Sequence, residues 1–185
     1  MARRAVIAAI LLAGCSSPPA QAPQDAPLTG DYLSDWPVAA ADEDANFIRS
    51  ERPTPADLEF PYQRDLNVLK RPLKIRGRLF AKGIGVHARS ELTFTTDQRY
   101  RRFAATIGID DEASKVAYES GNVTFEVRGD GRKLYDSGVV TARDPARAIV
   151  VDICAVVSLK LVVTFGTDDS GQGDVADWAL ARVIP

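Results

Sequence analysis

Val123-Thr124-Phe125-Glu126-Val127-Arg128-Gly129-Asp130-Gly131-Arg132-Lys133-Leu134-Tyr135 is the stretch whose pattern decides the fold. Val123, Phe125 and Val127 fall on one side of an extended chain, with Thr124, Glu126 and Arg128 on the other, because strand side chains alternate with period two. Gly129 to Arg132 then supplies an Asp-Gly turn, the pair that most readily takes the positive φ of a tight hairpin. Lys133-Leu134-Tyr135 runs back. The stretch reads as a half-buried strand, a turn and its antiparallel partner.

The same pattern extends outward. Leu73 to Phe80 opens with clean alternation and reads as a strand, and Leu92 and Phe94 share one face of Glu91–Thr95. Phe103–Ile109, Ile149–Ile153 and Leu159–Phe165 are apolar runs of the kind found in sandwich cores, and Trp178–Ile184 reads as a last strand pairing back at an edge. No window of real length carries a 3.6-residue apolar period. The expected fold is all-β, an antiparallel β-sandwich of the jelly-roll type. Asp31 to Arg71, with prolines at 37, 53, 55 and 61, is less regular. It reads as a first strand near Tyr32-Leu33, then a long loop that either binds a ligand or covers a sheet edge.

The N-terminus speaks to compartment. Arg3 and Arg4 form a positive start, Ala5 to Leu12 is an apolar run too short to span a bilayer, and Leu12-Ala13-Gly14-Cys15 follows. This order resembles the signal peptide and lipobox of bacterial lipoproteins, which implies a signal peptide over 1–14 and lipidation of Cys15. Ser16 after the cysteine implies sorting to the outer membrane. Residues 15–30, rich in Pro, Ala, Ser and Gln, read as a tether with a root-mean-square reach of roughly 20 Å. Residues 31–185 suit one domain. With Cys15 lipidated, Cys154 is expected to be a small buried hydrophobe without a disulfide. Cleavage takes Lys plus Arg from 23 to 21 against 25 acidic residues, a net charge of about −4, and an acidic exported chain argues against nucleic acid as a partner. With 45% apolar residues the chain can build a real core.

Lys82-Gly83-Ile84-Gly85-Val86-His87-Ala88-Arg89-Ser90 holds the only histidine. Gly83 and Gly85 suggest a chain bending tightly as it enters a sheet. His87 is either a binding group or a buried polar anchor. The second reading is favoured, with Asp177 as its carboxylate partner, since a buried polar group must be paired. One histidine cannot make a His–His metal site, and no serine lies in a Gly-x-Ser-x-Gly elbow.

Several blocks occur in one collinear order: Tyr32-Leu33-Ser34-Asp35, Leu73 to Gly77, Lys82 to Ser90, Tyr100 to Phe103, Gly108-Ile109-Asp110-Asp111, Val123 to Leu134 and Asp174-Val175-Ala176-Asp177-Trp178-Ala179. Together they resemble the NPCBM family of carbohydrate-binding modules, found beside glycoside hydrolases such as family 98. The resemblance covers the chain from about Asp31 and implies a galactose-binding-like sandwich. One departure stands out. The family's closing motif reads Asp-His-Ala-Asp-Trp, and the histidine position here is Val175.

A sugar ring packs its C–H groups on an aromatic face, which makes Tyr32, Trp36, Tyr62 and Trp178 candidate platforms, with His87 as a polar contact. Trp178 is also a candidate core residue. The acidic clusters Asp110-Asp111 and Asp168-Asp169 with Asp174, and Asp177 nearby, suit either a structural Ca²⁺ or solvated turns. Galactose-binding-like sandwiches often carry such a calcium, so the resemblance implies one. Glycoside hydrolysis needs two acids flanking a deep cleft, which a lone small sandwich offers poorly. The sequence therefore reads as a non-catalytic, lipid-anchored envelope protein that binds a glycan. The alternative is an envelope protein-interaction module on the same sandwich.

Overall fold

The computed structural model of the chain describes residues 29–38, 61–116, 121–167 and 171–185. Its strands are β1 (Asp31–Tyr32), β2 (Gln63–Arg64), β3 (Leu73–Ile75), β4 (Arg78–Phe80), β5 (Gly83–His87), β6 (Ser90–Thr95), β7 (Arg102–Ile109), β8 (Asn122–Gly129), β9 (Arg132–Thr141), β10 (Arg147–Asp152), β11 (Ser158–Phe165) and β12 (Val175–Ile184). Leu33–Asp35 forms one 3-10 turn and Ala113–Val116 one short helix, α1.

The deciding hairpin forms as its residues dictate. Gly129 pairs with Arg132 across a turn in which Asp130 and Gly131 have φ of +49° and +81°. Val123, Phe125 and Val127 are fully buried. One sheet runs β6-β11-β8-β9 and the other β10-β7-β12-β5-β2, with β1 also paired to β12; all pairings are antiparallel. Leu92, Phe94, Phe125, Leu161 and Val163 of the first sheet meet Val86, Phe103, Ile107, Ala176 and Trp178 of the second in one apolar core. Trp178 stands edge-on to Phe125, with centroids 4.9 Å apart, and to Phe103 at 6.1 Å.

Four expectations change. Leu73–Phe80 is not one strand: Arg76 and Gly77 (φ +49° and +82°) fold it into the β3–β4 hairpin. That hairpin lies on the outer face of the larger sheet, where Leu73, Ile75 and Phe80 bury Ala179 in a second small core. β12 is no edge strand but the centre of its sheet, between β7 and β5; apolar alternation says nothing about strand order. Gly83 and Gly85 lie inside β5 rather than in a bend. A Cβ on Gly85 would sit 2.4 Å from both Asn67 Cα and Leu66 O, so this glycine admits a covering backbone segment. Cys154 lies in the turn after β10, is half-buried and is disulfide-bonded, not a free buried thiol.

The expected first strand is β1, which ends one residue early as Leu33 opens the 3-10 turn. Of the long irregular region, 39–60 lies outside the described residues. The remainder forms edge strand β2 and then crosses over Gly85.

Candidate functional site

The Lys82–Ser90 block carries the chain from one sheet to the other, since β5 belongs to the larger and β6 to the smaller. The corner Ala88-Arg89 therefore lies at one rim of the sandwich, beside the end of β11 and the start of β12. His87 is 5% exposed, and its Nδ1 donates to Ala88 O at 2.7 Å. Burial lowers its pKa below the usual histidine value, opposed by the Ala88 carbonyl and the Gly171 backbone. A neutral imidazole follows at neutral pH. Asp177 is not its partner: Asp177 pairs with Gly85, whereas His87 pairs with Val175. The main-chain carbonyl has taken the role expected of a carboxylate.

Arg89 is exposed, and its guanidinium lies 5.4 Å from the centroid of half-buried Phe165. Gly171 adjoins both groups: a Cβ there would stand 3.3 Å from His87 Cε1 and 3.4 Å from Phe165 Cε1. The rim thus joins an imidazole, a guanidinium and an aromatic edge around a residue without a side chain. This combination suits a sugar, which offers C–H patches to an aromatic and hydroxyls to polar groups. Arg89 and Phe165 went unnoticed in the sequence; Arg89's place two residues beyond the only histidine was the available signal.

The other aromatic candidates separate. Tyr32 and Trp36 are half-buried near the far end of β12. Tyr32 pairs with Arg182 and lies 5.8 Å from Lys82 Nζ; Trp36 packs on Tyr100 at 5.4 Å, and Tyr100 donates to Asp31 at 2.6 Å. Val175 and Arg182, seven positions apart, put roughly 20 Å between this end and His87, too far for one sugar residue to bridge. Tyr62, half-buried just before β2, is beside the edge nearer His87, with Arg64 over its ring at 5.9 Å. Trp178 is fully buried and is no platform; the edge-on packing described above makes it a core residue.

Of the acids proposed for calcium, Asp110, Asp111 and Asp174 accept backbone N–H groups, whereas both oxygens of Asp177 are buried without a hydrogen-bond partner. Asp110 accepts from Asn67 Nδ2, Glu112 N and Lys74 N at 2.8–2.9 Å, and Asp111 accepts from Arg76 N and Gly77 N at 2.8 Å. Asp174 accepts from Asn122 N. Among the described residues no three His, Cys, Asp or Glu side chains gather as a metal cage. Asp168, Asp169 and Cys15 lie outside the described residues.

A two-sheet antiparallel sandwich with polar and aromatic groups at a loop rim defines a small ligand-binding module. Residues 31–184 match the NPCBM/NEW2 domain, and the chain belongs to that family of carbohydrate-binding modules. It is similar, at 27% identity over 84% of this chain and 31% of that one, with a TM-score of 0.67, to a CBM51-2 and INT domain structure from Clostridium perfringens ZmpB in complex with GlcNAc. It is also similar to the CBM51 of C. perfringens GH95 in complex with methyl-galactose, at 28% identity over 84% of this chain and 99% of that one, TM-score 0.65. A Renibacterium salmoninarum protein named "Putative endo-alpha-N-acetylgalactosaminidase" is 34% identical over 113 residues, 61% of this chain and 7% of that protein's length.

Proposed function

We propose that this chain is a non-catalytic carbohydrate-binding protein of the bacterial envelope, held to the membrane through Cys15, and that the rim around His87, Arg89 and Phe165 contacts the glycan. The observation that carries the reading is the likeness to modules solved with GlcNAc and methyl-galactose, at 27% and 28% identity. The rim adds the chemistry: Arg89 supplies donors and Phe165 an apolar edge. The test is calorimetric titration of the soluble domain with N-acetylglucosamine and methyl-galactoside, with calcium and with chelator. Saturable binding that Arg89→Ala abolishes without changing thermal stability supports the site. Binding unchanged by Arg89→Ala moves it elsewhere.

The anchor has its own test. A lipid thioether would consume the Cys15 sulfur. Envelope-extracted protein is expected to carry the mass of the lipid, and Cys15→Ser to lose it. An intact disulfide without lipid contradicts the anchor.

One observation favours a second reading, an assembly module that no longer binds sugar. Val175, at the family's histidine position, is fully buried directly opposite His87. A second imidazole there would adjoin the first, and the rim lacks it. Pull-down from envelope extracts, with no glycan binding in the titration, would establish this alternative.

A further inference from the structure

The N-terminal segment joins the sandwich at the end of β12, where Asp31 pairs with Val183 and Tyr32 with Arg182. The junction is tight: a Cβ on Gly30 would stand 2.4 Å from Val183 O and 3.0 Å from Ile184 Cγ1. Four arginines surround it. Arg182 is the cross-strand neighbour of Tyr32 and Arg102 that of Ile184, while the Arg101 N–H donates to Ile184 O at 2.8 Å. Arg99 precedes Tyr100, whose hydroxyl donates to Asp31. Arg99, Arg101 and Arg102 are exposed.

Most of this positive charge is uncompensated locally. Among the described residues only Arg99 of the four is ion-paired, with Asp97 at 3.8 Å, and the buried Nε of Arg182 has no hydrogen-bond partner. The neighbouring acids are turned onto the protein: Asp31 accepts the Tyr100 hydroxyl, Asp97 faces Arg99, and Asp152 accepts the Cys154 N–H. Aspartates held in this way stay close to the backbone, whereas a guanidinium on its long stem reaches outward. Two half-buried aromatics share this end. Tyr32 has the Arg182 guanidinium 5.9 Å from its ring centroid, and Trp36 packs on Tyr100. Free arginines beside Tyr and Trp suit a bilayer surface, where cations meet phosphates and amphipathic rings settle at headgroup depth.

Granted the Cys15 anchor, on which this rests, we propose that this end of the sandwich lies on the anionic headgroups of the membrane, so that the rim around His87 points away from the lipid. The course of the chain selects that occupant. The tether, residues 15–30, has a reach of roughly 20 Å and enters among these arginines, so theirs is the surface held nearest the lipid. Headgroup attraction extends only about one Debye length, roughly 8 Å, and a tether this short keeps the arginines returning to it. Along β12, Arg182 and Val175 are roughly 20 Å apart, and Val175 faces His87. Contact at one end therefore presents the other to glycans.

Residues 29–185 hold every described strand and the whole described core, so this tether-free fragment is the probe, and its vesicle binding does not depend on lipidation. Sedimentation with vesicles of equal parts phosphatidylglycerol and phosphatidylcholine should show binding that added salt releases, with none to phosphatidylcholine alone. Each arginine at an anionic surface contributes about fivefold, so Arg101→Gln with Arg102→Gln should lower the partition about 25-fold. Arg76→Gln is the control, an exposed arginine beside Asp111 at the opposite end of β7, and should leave binding unchanged. Trp36 reports orientation: the other tryptophan, Trp178, is fully buried, so quencher lipids labelled at the headgroup should dim Trp36. No binding that requires phosphatidylglycerol, an equal loss in Arg76→Gln, or binding without Trp36 quenching overturns the proposal, even where Cys15 carries lipid. Binding as expected by a chain that proves unlipidated upholds the surface and removes only the anchor.

Discussion

Replacing Gly85 with alanine would place a Cβ 2.4 Å from Asn67 Cα, 2.4 Å from Leu66 O and 2.7 Å from Asn67 C. All three are backbone atoms, so no side chain can swing aside. Carbon contacts settle near 3.5 Å, and the covering segment must therefore retreat by about 1 Å. Overpacking of this kind costs about 1–3 kcal/mol, and the retreat also strains the Asn67–Asp110 hydrogen bond, worth about 1 kcal/mol more. A loss of about 3 kcal/mol would lower Tm by about 6–12 °C in a domain of this size. Scanning calorimetry and urea unfolding measure both quantities. Gly77→Ala is the control: nothing lies within 4 Å of its Cβ, and only its φ of +82° opposes the substitution, at about 1–2 kcal/mol. If Gly85→Ala proves no more costly than Gly77→Ala, the close approach over Gly85 does not exist as described.

Other outcomes follow from the same structure. Trp178→Ala empties the centre of the core and should cost about 3–5 kcal/mol by urea unfolding, whereas a platform role would cost binding and leave stability alone. On the acid side, the Lys133 hydrogen bond lowers the Asp136 pKa and the Thr141 N–H lowers that of Asp144. Their stabilisation is present above the ordinary value of 3.8 and should be lost as pH falls through the lowered values, measured as a drop in Tm in acid. Arg89→Ala should lower Tm by no more than about 4 °C, because an exposed cation over an aromatic contributes only about 0.5–1 kcal/mol.

Much of the fold was legible because local patterns carry it. The alternation of Val123, Phe125 and Val127 and the Asp130-Gly131 turn each specify their own geometry within a few residues. What stayed hidden depended on neighbours distant in sequence. Nothing in Trp178–Ile184 distinguishes a central strand from an edge, since that depends on which strands flank it. Gly77 marked the break in Leu73–Phe80, but the opening alternation masked it. At the site, His87 is buried, as an anchor would be, and bonds the adjacent Ala88 carbonyl rather than Asp177. Asp110, Asp111 and Asp177 drew attention as metal ligands because aspartates in glycine-containing loops suit Ca²⁺. The first two bind the backbone of a hairpin that the sequence did not reveal.

The Lys82–Ser90 block therefore contributes in two ways. Gly85 admits the covering segment on the outer sheet face, and Asp110 ties that segment down through Asn67 and Lys74. The corner from His87 to Arg89 delivers polar groups to the rim. Buried glycines, a buried histidine and an exposed arginine fall within nine positions, which explains why the block is recognisable without its individual roles being separable from sequence.

Amide chemical-shift mapping of the soluble domain during titration with methyl-galactoside or N-acetylglucosamine tests the central claim most directly. The rim account predicts saturable shifts confined to His87–Ser90, Phe165 and Gly171–Val175, with a Kd of about 1 mM, equivalent to about −4 kcal/mol. Shifts centred on Tyr32, Trp36 and Tyr100, or no saturable shifts with either sugar, would contradict it.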